Sequence, residues 1–341
     1  MARTAAPANE HRLPSLRAAM LLYLAVLLGT AAIIVPLARN VDPQFLRFSV
    51  ALFVTAGFTV VAMLITRVKF GVLLGNPPSG SSRITWIVGL LLGAAVWIPV
   101  AWLTLTIYQA LTVRIGQMPP TPSSNIQVFG AFIQAAAVIP ICQGLLFWAF
   151  IQSSSESVSR KWGPVLAAVL YAFYGLFSTD FGMSIIPGLI IVGLLAAFTV
   201  SMTRSAWQSM AILAGYNLGW VLLQTPLLAF AGGGSTAQFY NTFNVRWLFI
   251  MVIGAFITFI LFQVIRARAT LANPGALPRQ QPRQFWWVPL TLSVILLVSV
   301  MAGEIILRTV NYTQPRSIPV RPVPTGSGNS TVPPVPVPPG R

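Results

Sequence analysis

Ionisable chemistry is scarce in this chain. Among 341 residues the only carboxylates are Glu10, Asp42, Glu156, Asp180 and Glu304, the only histidine is His11 and the only cysteine is Cys142. A single cysteine excludes an internal disulfide and any thiolate cluster, and one histidine beside one cysteine cannot supply the three or four ligands of a zinc site. Charged residues make up 8% of the chain, against roughly 25% in an ordinary soluble domain. Apolar residues make up 56% and the mean hydropathy is +0.78, which identifies an integral membrane protein.

The basic residues, 19 Arg and 2 Lys, give a net charge of +16. They are scattered along the chain rather than gathered on one aromatic-interleaved face, so nucleic acid is not an expected partner. Loop flanks explain them better, since cations at helix ends fix orientation and meet lipid headgroups. About 20 mainly apolar residues are needed to cross the hydrocarbon layer. Nine stretches meet that need: Ala18–Leu37, Phe45–Ile65, Ile84–Ile107, Ile126–Gln152, Trp162–Ser178, Met183–Met202, Ala206–Phe230, Trp247–Val264 and Phe285–Leu307. The expected fold is therefore an all-α, polytopic bundle of about nine spans over residues 18–308, between an N-terminal tail (1–17) and a C-terminal tail (309–341). No loop between the stretches is long enough for a separate soluble domain.

With the N-terminus in the cytoplasm, thirteen basic residues fall inside, against Arg39, Arg47, Arg114 and Arg246 outside, ahead of the last tail. That asymmetry predicts a multi-pass protein of the cell membrane with its N-terminus cytoplasmic and its C-terminus exported. The last tail, with its run from Val332 to Pro339, favours extended polyproline II and suits a disordered segment or a strap along a partner outside. Glu10, Asp42, Glu156 and Asp180 are assigned to tails and loops, and Glu304 to the final turn or so of the last span. Acid–base catalysis and proton-coupled transport then lack their usual carriers.

The run from Pro140 to Gln152, with Gln143-Gly144-Leu145-Leu146-Phe147-Trp148 at its centre, resembles the first motif of the CAAX-protease and bacteriocin-processing (CPBP) membrane proteins, which reads Glu-Glu-Leu-Leu-Phe-Arg. Gln143 and Gly144 stand in place of the glutamates and Trp148 in place of the arginine. Phe173-Tyr174-Gly175-Leu176-Phe177 is similar to the family's Phe-x-x-x-His, with Phe177 for the histidine. Thr203-Arg204-Ser205-Ala206-Trp207 is similar to its Thr-Gly-Ser-Leu-Trp turn, after which Leu213 replaces a second histidine and Asn217 remains. The likeness covers about residues 126–222.

In active relatives, the resemblance implies, a glutamate and two histidines activate water against a peptide bond. An amide and two hydrocarbons cannot do so. The expectation is a degenerate member without catalytic residues, cofactor or metal, acting as a scaffold or accessory subunit for a membrane-protein partner. Two alternatives stand beside it. One is a peptidase working through Gln143 and Asn217. The other is a path for a neutral solute lined by Gln134, Gln143, Tyr174, Asn217 and Gln224. Gln143 and Asn217 also suit ordinary interhelical hydrogen bonding, and Gly175, Gly188, Gly193 and Gly215 suit close helix contact.

Overall fold

The computed structural model describes residues 13–37, 41–75, 81–111, 125–178, 182–224 and 245–272. Among them every regular element is helical. The main helices are α1 (Leu16–Leu37), α2 (43–66), α3 (Ser81–Leu111), α4 (125–158), α5 (Gly163–Ser178), α6 (Gly182–Thr203), α7 (Ala206–Gln224) and α8 (Val245–Ala272), with a short connecting helix, Phe70–Leu74. Six of these, all but α5 and α7, are long and apolar enough to cross a membrane. The expectation of nine spans is thus met in part. Among the described residues the chain is all-helical, with six membrane-length helices; the stretch Phe285–Leu307, the C-terminal tail and residues 1–12 of the N-terminal tail lie outside the described residues, and helix α1 begins within the expected tail, at Leu16.

The 16-residue α5 is about 24 Å long, short of the roughly 30 Å hydrocarbon layer. α7 carries Gln208, Ser209, Tyr216 and Asn217 along its length, which dilutes its apolar character.

α4 runs further than its apolar stretch. Pro140 lacks the N–H an α-helix needs, and the preceding residues Gln134–Val138 widen to i→i+5 turns that accommodate it. A second wide segment follows at Gly144–Gln152. The run Ser153-Ser154-Ser155-Glu156-Ser157 reads as an exit from the membrane, yet it stays helical to Val158. The hydroxyls of Ser154 and Ser155 donate to the carbonyls of Phe150 (2.7 Å) and Ile151 (2.9 Å), so their polarity is turned back onto the helix itself.

Glycine sets the tightest contact, between α3 and α7. A Cβ on Gly93 would collide with the Ile212 carbonyl, one on Gly215 with the Leu90 carbonyl, and one on Gly219 with the Trp97 ring. Gly89 and Gly93 pack on Gln208 and Ile212, and Gly215 and Gly219 on Leu90 and Trp97, so two Gly-x-x-x-Gly pairs, offset along one seam, supply the small-residue spacing that lets two backbones touch in lipid. Contacts climb both helices in the same direction, from Gly89 against Gln208 to Gly219 against Trp97, so α3 and α7 run parallel. α5 and α6 run antiparallel, Gly193 lying on Ala168 and Gly175 on Leu189.

The core fills around α4. Trp148, Phe147, Phe150 and Tyr23 are its largest wholly buried side chains. Phe147 stacks edge-on against Tyr23 (centroids 6.2 Å apart) and Tyr171 (5.4 Å), and Trp148 lies 4.8 Å from Tyr171.

Candidate functional site

Helices α4, α5 and α7 carry the motif positions, and α4 touches both of the others. Gly144 permits this on the α7 side: its Cα faces the Met210 side chain so closely that a Cβ would overlap it. Leu213 and Asn217 follow Met210 at i+3 and i+7, hence on the same helical face. On the α5 side, Phe147 and Trp148 pack on Tyr171, and Phe147 also on Tyr174, which lies three residues before Phe177.

Gln143 is 7% exposed, Gly144 is buried, and Trp148 and Leu213 are wholly buried, whereas Phe177 and Asn217 are half-buried. The Trp148 Nε1 and Asn217 Nδ2 are shielded and lack hydrogen-bond partners among the described residues. The polar bonds of this region belong to other residues. The Tyr23 hydroxyl donates to the Leu170 carbonyl (2.9 Å), and the Tyr174 and Thr55 hydroxyls bond each other (2.9 Å).

The charged chemistry sits lower on α4. Glu156, read from sequence as a loop residue, lies in the last helical turns of α4 with its side chain 3% exposed. This corrects the assignment of Glu156 to a loop. Its Oε2 accepts from Arg204 Nη1 at 2.8 Å, and its Oε1 accepts from Gln152 Nε2 (2.6 Å) and from the Ser201 hydroxyl. Gln152 Nε2 also reaches the Ala197 carbonyl at 2.8 Å. The spacing Gln152/Glu156 is i,i+4 on α4, and Ser201 with Arg204 ends α6, so the cluster ties the lower ends of these two helices. A buried carboxylate needs such partners, and here its two oxygens accept from three donors, one of them cationic.

Arg204 stands in the left-handed region, φ 55°, immediately after α6. That conformation costs a non-glycine residue about 1–2 kcal/mol. The cost is met by the side chain, which reaches back to Glu156. Gly75, at φ 69°, lies directly on the Arg204 carbonyl, where any Cβ would collide. Gly163 closes on Glu156 from the other side, a Cβ there falling 2.7 Å from Glu156 Cγ. The connections 67–75, 159–162 and 204–205 therefore meet at one end of the bundle.

The expected motif residues thus lie on three helices joined through α4, while the one charged cluster among the described residues was missed. Its signal was present: Gln152 and Glu156 share a helical face, and Arg204 is the sole basic residue between two apolar stretches. Among the described residues no three His, Cys, Asp or Glu gather. Of the solute-path residues, Tyr174 is engaged with Thr55 and the Gln224 side chain lies outside the described set. Comparison with family models, curated proteins and solved structures finds no match.

Proposed function

We propose that this chain is a non-catalytic, CPBP-like membrane protein that serves as a scaffold or accessory subunit for another membrane component. The observation that carries the reading is the backbone of Arg204. Aligned on Thr203-Arg204-Ser205-Ala206-Trp207, it takes the place of the family's glycine, and it adopts the left-handed conformation for which glycine is the ordinary choice. Packing of α4 against α5 and α7 supports the same register. Where that register puts the reacting groups, the chain has an amide, an indole, a phenyl ring and a leucine, none of which takes a proton from water. The finer topology belongs to this proposal: about nine spans, with the N-terminus and the loops at Lys69, Lys161 and Arg268 cytoplasmic and the tail after Arg308 outside.

Native mass spectrometry of the full chain, extracted in mild detergent, alongside a peptidase assay, tests the function. A complex of fixed stoichiometry with a second membrane protein, and no turnover, supports it. Cleavage abolished by Gln143→Ala, or a chain that always elutes without a protein partner, overturns it. Cysteines placed at Ser81 and Ser327 should react oppositely with an impermeant thiol reagent, and equal labelling would overturn the topology.

A further inference from the structure

Among the described residues, the exposed charges at the end of the bundle that holds Glu156 are all positive. Arg67, Lys69, Arg160 and Lys161 are all exposed there. The close approaches of Gly75 to Arg204 and of Gly163 to Glu156 bring their loops to this common end. Two acids occur among the described residues, Asp42 and Glu156. Asp42 caps the start of α2, at the far end of that helix from Arg67, and Glu156 is already committed to Arg204. The four exposed cations thus have no carboxylate of their own at this end among the described residues, which leaves them open to an anion from outside the protein.

One further observation specifies its form. Trp162 is 64% exposed and Phe70 43%, each within one residue of an exposed lysine. Aromatic rings beside cations at helix ends mark the depth of lipid headgroups rather than bulk water.

We propose that this end of the bundle is a binding surface for anionic phospholipid, with the phosphate taken by Arg160 and Lys161, supported by Arg67 and Lys69, and with Trp162 at the acyl boundary. The proposal is independent of the family likeness, since it uses only residues outside the motif positions.

The test uses the full chain in phosphatidylcholine nanodiscs carrying a trace of spin-labelled phosphatidylglycerol or, in parallel, spin-labelled phosphatidylcholine. The motionally restricted fraction of each label reads its preference for the protein. Phosphatidylglycerol should be favoured at low salt, and the preference should shrink as salt is raised. Arg160→Gln with Lys161→Gln, in an exposed loop, should lower it by up to about fivefold for each cation removed, with thermal unfolding unchanged. Equal restriction of the two labels overturns the proposal. So does a preference that the double substitution leaves intact, and so does displacement of the anionic label by inorganic phosphate at constant ionic strength, which would make a soluble anion the ligand.

Discussion

Arg67 and Arg204 end two helices in the same left-handed conformation, both at φ 55°, yet the two turns are held by different means. Arg67 has an exposed side chain, and its turn is closed by its own backbone N–H donating to Leu64 and by Val68 donating to Met63. Arg204 is 17% exposed, paired with Glu156, and covered at its carbonyl by Gly75. The same backbone cost is therefore borne by two different kinds of interaction. At residue 67 only local hydrogen bonds oppose it, whereas at residue 204 a side chain and a second segment of the protein both depend on the arginine being where it is.

Removing the side chain should separate them most clearly. Arg204→Gly relieves the strained φ but leaves Glu156 buried with two neutral donors and no cation, and should lower stability by about 3 kcal/mol. Adding Glu156→Gln to it should bring the protein back to within about 1 kcal/mol of the parent, because the uncompensated charge is then gone. Thermal unfolding in detergent reads both. An Arg204→Gly protein as stable as the parent would erase the distinction between the turns.

A smaller loss, about 2 kcal/mol, is expected for Gly75→Ala, since the new methyl meets the Arg204 carbonyl and the φ of 69° is unfavourable for alanine. No loss there would mean that the 67–75 connection does not brace the Arg204 turn. The smallest effect has the opposite sign. Arg67→Gly should be neutral to stabilising by about 0.5–1 kcal/mol, because nothing but the strained backbone changes. A clear destabilisation would reveal a role for the Arg67 side chain in the folded protein that its exposure does not suggest.

The helices themselves were legible in the sequence because a bilayer demands long apolar runs, and the starts of α6 and α7 fall within a residue of the expected positions. The end of α4 was not. Five polar residues after Gln152 look like a loop, but serine hydroxyls bond backward to the preceding turn, and Glu156 finds its cation 48 residues away on another helix. Composition registers polarity and not whether a partner waits across the bundle. The i→i+5 turns of α4 were likewise invisible, apart from the hint in Pro140. The α3–α7 seam could have been read: both Gly-x-x-x-Gly pairs stand in the sequence, and only their packing on each other's helix required the structure. The candidate motif positions fall on helices that meet through α4, but their apolar neighbours, Met210 and the Tyr171–Phe147 stack, are set by three-dimensional packing.

That seam has a consequence for biosynthesis. α3 leaves the ribosome about 95 residues ahead of α7, roughly 5–20 s at ordinary elongation rates, and during that interval the notch formed by Gly89 and Gly93 has no Gln208 or Ile212 turn to receive. Three helices must be threaded in between before the matching turn arrives in the same orientation. Completion of the seam is therefore a late event of assembly, and until it occurs a small-residue stripe is open to any other nascent helix with the same spacing.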